Sequence, residues 1–477
     1  MVYCPRVNKR NKHATLSWNL IACVVAVYAW FLDPVYAVNY YFDENGSTPG
    51  FGSPAGIYSQ AGTYWNTSSS GNLAPVAFTG WNVMVFGVAA SDLQGCTFTF
   101  NMDGAQMPTD GIIVNSTNVN ITFQGAANLY LGNDQTWSVA KGSVFTEAQT
   151  WNNCGMNFDG TPLLLTGGGT INFMTPIGCN SGSRITENDA GAGLTVNLYP
   201  ARATNTSSGG GYALVSGNLN LASGVATNVF GTGSVILSGG TLDNTSGSFM
   251  TLCDMSGYIF SGNFAYQGSS SLDLGKSNVT LSVSPVITVN SNTLAISGVI
   301  NGAYNLVKSG AGTLALNGTN VYTGTTLVSN GVLQVNGSVT GAVTVSSGGV
   351  LGGTGNVNGV TLVQPGGAID PGGPGTIGTL AVNADLAING QLNIDLNSSG
   401  QCDKIQGSVV DISSCTLSVH PVDMTGGCDY IIASYTTLVG KFANRVNFPA
   451  GYSVSYAYNG EKMIAVILQR GTVIKVK

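Results

Sequence analysis

The chain has 477 residues, of which 8% are charged against roughly one quarter in ordinary soluble domains, and 67 are glycine. With 16 Lys and Arg against 22 Asp and Glu, it offers no basic surface for nucleic acid. Its 43% hydrophobic residues stand singly or in alternation, which argues against disorder and against membrane helices and favours many thin β layers.

Residues 1–37 read as an export signal. Arg6, Lys9, Arg10, Lys12 and His13 precede the apolar run Leu20 to Leu32, and Val35-Tyr36-Ala37 supplies small residues for cleavage after Ala37. Two readings compete. Leu20-Ile21-Ala22-Cys23 has the form of a lipobox, but most of the apolar run follows the cysteine. An uncleaved anchor is interrupted by Asp33-Pro34 and falls short of ~20 apolar residues. No stable membrane span is expected after cleavage. The exported chain keeps 12 basic and 21 acidic residues and seven cysteines: Cys96, Cys154, Cys179, Cys253, Cys402, Cys415 and Cys428. The odd number leaves one unpaired or intermolecular. The spacing of 13 from Cys402 to Cys415, and again to Cys428, suits thiols on neighbouring rungs, where a bridge would staple the C-terminal end. Buried, inert thiols are the alternative.

Residues 38–215 form an irregular β-rich region. Phe98 and Phe100, then Val119, Ile121 and Phe123, then Leu129 and Leu131 alternate as short strands. All six tryptophans precede residue 152, and Trp65, Trp81, Trp137 and Trp151 of the exported chain are read as core or capping residues.

Residues 216–400 read as a β-solenoid. Leu219 and Leu221, Val235 and Leu237, Leu272 and Leu274, Val279 and Leu281, and Leu294 and Ile296 are strands with one buried face. Six of the eight Asn-Gly pairs lie between Asn301 and Gly390, where tight corners need φ > 0. Asn-Gly is also a hairpin signal, so an antiparallel meander competes. Strands near Val343, Thr361 and Leu380 recur every 18 to 20 residues, which favours one turn of a parallel β-helix per interval. Residues 401–468 form a C-terminal β region. Within it, Val454, Tyr456 and Tyr458, Asn459-Gly460, and Ile464, Val466 and Leu468 make a capping hairpin. Residues 469–477 are a basic tail.

Within 306–337, Lys308, Gly310-Ala311-Gly312-Thr313-Leu314, Asn317-Gly318, Asn320, Tyr322-Thr323-Gly324 and Gly331-Val332-Leu333-Gln334-Val335 follow one another in order. This stretch resembles the autotransporter-associated β-strand repeat. Ser271-Leu272-Asp273-Leu274-Gly275 through Gly298-Val299-Ile300-Asn301-Gly302 resembles the lead-in to such repeats. Gly366-Gly367-Ala368-Ile369-Asp370-Pro371-Gly372-Gly373-Pro374-Gly375-Thr376 resembles the corner that follows. With Asp403-Lys404-Ile405 and Gly451-Tyr452-Ser453-Val454, the resemblance covers approximately residues 270 to 468. Tyr40-Tyr41-Phe42-Asp43 and Tyr64-Trp65-Asn66 resemble the opening of secreted proteins carrying the repeat. The resemblance implies an all-β, right-handed parallel β-helix of autotransporter passenger type. Autotransporters finish in a membrane barrel, and residues after the repeat region read as a single hairpin instead.

Carbohydrate-active β-helix enzymes need paired carboxylates or a base beside an Arg. Here Asp103, Asp110, Asp370, Asp385, Asp395, Asp403 and Asp411 read as scattered. Arg184, Glu187 and Asp189 lie close in sequence and are read as a polar loop ion pair. Asp273, Asp385, Asp395 and Asp411 are read as corner hydrogen-bond acceptors. The calcium nonapeptide is not matched at Gly366 to Asp370. His420 is the only histidine after residue 37, so zinc has little support. Gly209-Gly210-Gly211 and Gly352-Gly353-Thr354-Gly355 lack the helix and Lys of a phosphate loop. No residue is assigned a catalytic, cofactor or metal role. The expectation is an exported structural or adhesive protein, extracellular or at the outer cell surface, with surface glycans or matrix proteins as partners. A polysaccharide lyase or hydrolase and a self-associating surface-layer component are the alternatives.

Overall fold

The computed structural model describes residues 37–469 except 60–61, 103–106, 126–128, 150–155, 159, 176, 180–182, 200–210, 223–228, 231, 254 and 422–426. The export signal, Asp103, Trp151, Cys154 and most of the tail lie outside the described residues. From Asn39 onward the described residues are all-β apart from a 3-10 turn at Tyr458–Gly460, and no helix among them is long and apolar enough to cross a membrane.

The strands stack in parallel columns. A first sheet begins at Asn39–Phe42 and continues through Val83–Phe86 and Met107–Val114 to Ile300–Asn301. A second begins at Ala55–Ser59 and passes through Thr97–Met102 and Asn120–Gly125 to Tyr430–Val439. A third opens at Met250–Thr251 and ends at Asn444–Val446. This is the expected parallel β-solenoid, and its columns continue on both sides of residue 215.

Alternation sets the register. In Thr97–Met102, Phe98, Phe100 and Met102 turn inward while Thr97, Thr99 and Asn101 turn outward. Phe98 stacks on Ile121, which stacks on Phe145, then Ile171, Val196, Leu219 and Leu242. All seven are buried. Each such side chain contributes roughly 1.5–3 kcal/mol when fully removed from water. Slipping one rung by one residue would turn its apolar set outward, so the core fixes the register.

The tryptophan shift has a packing cause. The early rungs repeat every twenty-three to twenty-six residues in this column and fill their interior with Phe42, Trp65, Phe86, Phe98, Phe100, Phe123, Trp137 and Phe145. Phe42 stacks on Phe98 at 5.0 Å and Trp65 on Phe100 at 5.7 Å. Later rungs carry no tryptophan and mix aliphatic residues with single aromatics such as Tyr258, Phe260, Phe264 and Tyr266. The two sequence segments read as an opening motif meet antiparallel, Tyr41 opposite Asn66 and Phe42 opposite Trp65, and begin the stack.

After Ile300–Asn301 the first column continues by different means. Val321 donates its N–H to the Ile300 carbonyl at 2.9 Å and Asn320 donates to Ser338 at 2.9 Å. The column then runs through Ser338–Val339 and Asn356–Val357 to Thr379–Val382. Val343 stacks on Thr361 eighteen residues later, as expected. The partner of Thr361 is Leu386, however, and Leu380 stacks on Ile405 in the neighbouring column. Residues 372–378 between Ala368–Pro371 and Thr379–Val382 lengthen this rung and break the period. The two columns merge in Lys404–Asp411, whose first half pairs with Thr379–Val382 and whose second pairs with Leu386–Ile388.

A C-terminal hairpin forms, but its first strand ends at Ser455, so that Tyr456 lies beyond it and Tyr458 in the 3-10 turn. Tyr452–Ser455 pairs antiparallel with Met463–Leu468, which pairs antiparallel with Tyr430–Val439 and closes the second sheet. The Cys402–Cys415 staple does not form: Cys415 is buried in the core, and the Cys402 thiol donates to the Ile431 carbonyl.

Candidate functional site

The repeat residues are used structurally. Lys308 alternates inward with Leu306, and burial pushes its ammonium down to about 8. The ammonium donates to the carbonyls of Ser309, Gly310 and Asn330 at 2.8, 2.7 and 3.0 Å. Asn320 replaces a missing stretch of ladder with its side chain. Its Oδ1 accepts from Ile300 N at 2.9 Å, and its Nδ2 donates to Gly318 and Ser338 carbonyls at 3.0 and 2.9 Å. The Tyr322 hydroxyl lies 2.6 Å from Thr326 Oγ1 inside the core.

The outer flank of the second sheet carries a polar line. Asn197 donates to Asn172 and Asn220 donates to Asn197, each at 2.8 Å, while Asn172 donates to Thr146 Oγ1 at 3.1 Å. A second line follows a corner: Ser297 donates to Asp273, Asn317 to Ser297 and Asn336 to Asn317 at 2.7, 3.1 and 2.9 Å. Trp65 and Trp137 are core residues as expected, whereas Trp81 is 44% exposed, with φ 64, and stands edge-on to Tyr130 at 5.6 Å.

Arg184, Glu187 and Asp189 do not form a loop ion pair. Arg184–Glu187 is a strand, so alternation turns Arg184 outward and Glu187 into the core. Among the described residues no ion pair joins Arg184 to either acid. Glu187 accepts from the Tyr212 hydroxyl at 2.8 Å, its Oε1 has no partner, and burial pushes it up to about 8. Asp189 accepts the N–H groups of Gly191, Gly193 and Leu194 and shapes a corner. Asp110 accepts from Asn133 Nδ2 at 2.8 Å. Asp411 caps Ser413 as a corner acceptor, and Asp385 is exposed.

The acids read as scattered are not all so. Asp370, Asp395 and Asp403 each bring an oxygen within 4.8 Å of the others, and all three are buried. Stacking causes this. Asp370 and Asp395 point away from the core on adjacent strands of the third sheet, under residues 371–378 and 397–403. Asp403, at the end of the second loop, ties it to both the first loop and the strand: its oxygens accept from Gly378 N and Asp395 N, each at 2.8 Å. Asp395 is therefore not an exposed corner acceptor. Burial pushes Asp370 up to about 6 and Asp403 up to about 7, with Asp395 adding to both. Each fully ionised pair at this separation would repel by roughly 3 to 4 kcal/mol at an effective dielectric of about 20. The outward positions were legible from alternation. Their convergence was not, because it depends on which rung each loop folds across.

Ser418 Oγ lies 3.0 Å from His420 Nε2, and His420 Nδ1 lies 3.7 Å from Asp395 Oδ1. This is the order of a Ser-His-Asp relay, yet 3.7 Å is too long for a hydrogen bond and Ser418 is 1% exposed beside its own strand neighbour. A nucleophile needs its oxygen open to a carbonyl, which this one is not.

Residues 306–335 match the passenger-associated-transport-repeat. Over 85 residues, 18% of the chain, the sequence is 38% identical to the adhesin BmaC autotransporter of Brucella suis biovar 1, of which the match covers 2%. Two extracellular serine proteases of Serratia marcescens are 33% and 36% identical over 158 and 159 residues, 30% of the chain and 15% of each protease. The chain thus spans a small part of the length of these relatives. The resemblance seen at Lys308 to Val335 is borne out, and the chain is passenger-like there.

Proposed function

From a chain that carries a passenger-type transport repeat, we propose an exported solenoid displayed at the outer cell surface that acts as an adhesive or structural element. The observation that carries this reading is the outer flank of the second sheet, where Thr146, Asn172, Asn197 and Asn220 form an uncharged hydrogen-bonded strip. Such a strip matches the hydroxyl-rich surface of a glycan through many weak contacts. The exposed Trp81 adds a ring face for an apolar sugar face. The similarity to an adhesin supports binding, and the extracellular relatives support export.

The test is a glycan and matrix-protein array probed with the exported chain, residues 38 to 477, with released sugars assayed in the same wells. Saturable binding without product, weakened about tenfold in Trp81→Ala, supports the adhesive reading. Sugar release overturns it, and so does the absence of binding to every glycan and matrix protein.

A further inference from the structure

Three buried carboxylates without a cation beside them need explaining. Neither Lys nor Arg is among the groups that shift Asp370 or Asp403, and His420 acts on Asp370. Asp403 is rigid, because both oxygens are held by backbone N–H groups. The other two acids are open. Asp370 uses Oδ2 to accept from Asn393 Nδ2 at 3.3 Å, and Asp370 Oδ1 has no hydrogen-bond partner. Asp395 Oδ2 has none either, and both residues are only 4% exposed. The amide oxygen of neighbouring Asn393 is also buried and unpartnered. Buried carboxylate oxygens are ordinarily hydrogen-bonded, so bare ones facing their own kind point to an absent positive partner.

We propose that Asp370, Asp395 and Asp403 form a calcium site that pins residues 371–378 and 397–403 against the third sheet. The donors are hard oxygens, which calcium and magnesium prefer over softer metals. Two oxygens on one calcium ion, at 2.3–2.6 Å each, lie no more than roughly 5 Å apart, and the three acids meet that limit. Magnesium demands a tighter octahedron and keeps several waters, which a covered, buried site does not accommodate. Asn393 and the half-exposed His420 stand at the rim. The inference is independent of the adhesive reading, since it concerns how the loops are held.

The experiment is calorimetric titration of CaCl2, and separately MgCl2, into the exported chain stripped with chelator at pH 7.5, with thermal unfolding followed in parallel. One calcium per chain is expected, with Kd in the range of roughly 10⁻⁴ to 10⁻³ M typical of extracellular sites, and a rise in Tm that chelator reverses. Asp395→Asn should weaken binding at least about tenfold, while the exposed Asp385→Asn leaves it unchanged. No calcium binding by the wild-type chain overturns the proposal whatever the variants do. Equal binding by wild type and Asp395→Asn also overturns it. Calcium-independent stabilisation by Asp395→Asn, without binding, would mean that the acids share protons instead.

Discussion

Glu187 sits in the core with Tyr212 and keeps its proton at neutral pH, because burial raises it from the usual carboxylate range to about 8. The folded state therefore binds more protons than the unfolded state between about 4.5 and 8, and stability falls as pH rises through that window. Asp370 and Asp403, raised to about 6 and 7, act in the same direction when no cation is bound. Glu187→Gln should flatten the decline and leave the chain more stable than wild type at pH 9, by a few kcal/mol at most. Urea midpoints from pH 5 to pH 9 test this; parallel curves for the two proteins would refute it. Asn320 makes a separate prediction. Asn320→Ala strips Ile300 N of its side-chain acceptor, while Gly318 O and Ser338 O keep backbone donors, and should cost about 1–3 kcal/mol. A midpoint shift at unchanged m is the expected result, and a shift below 1 kcal/mol would contradict the role given to this side chain.

At the scale of the rung, glycine is required where successive corners touch. A Cβ on Gly337 would lie 2.0 Å from the Gly318 carbonyl, and one on Gly355 would lie 2.0 Å from the Gly337 carbonyl. Gly337→Ala should therefore destabilise by about 1–3 kcal/mol, the usual cost of overpacking, and lower Tm accordingly. An unchanged Tm would show that the rungs separate at no cost. Asn-Gly marked the corner positions as a local signal, but the expected φ > 0 holds only at Gly302 and Gly331; Gly318, Gly337, Gly359 and Gly390 are required instead by the close approach of the preceding rung's backbone, which is not a local signal. The placement of Leu380 was not legible, because the inserted loop at 372–378 changes which strand lies above it. Glu187 was legible in principle: Ile185 two residues earlier shares its face. The grouping of Arg184 with Glu187 and Asp189 by closeness in sequence overrode that alternation, which turns Arg184 and Glu187 to opposite sides.

Across the solenoid unit, each rung touches only its neighbours, so stability is a chain of nearest-neighbour terms with an end at each side. The N-terminal end is closed by the antiparallel meeting of Asn39–Phe42 with Trp65–Asn66. The C-terminal end is closed by Tyr452–Ser455 and Met463–Leu468. Removing residues 452–468 would bare the edge of Tyr430–Val439, and exposed edges recruit other strands. Light scattering of the truncated chain should show concentration-dependent association that the intact chain lacks, and a monodisperse truncated chain would argue against a capping role.

Parallel stacking also gives the amide lines a sense. In every Asn-Asn step described, the later rung donates and the earlier rung accepts: Asn197 to Asn172, Asn220 to Asn197, Asn336 to Asn317 and Asn383 to Asn358. The side-chain dipoles therefore add head to tail instead of cancelling, much as peptide dipoles do along a helix. The flank is a vector: it begins in donors at Thr146 and ends in acceptors at Asn220, so a ligand laid along it meets a different pattern in one orientation than in the other.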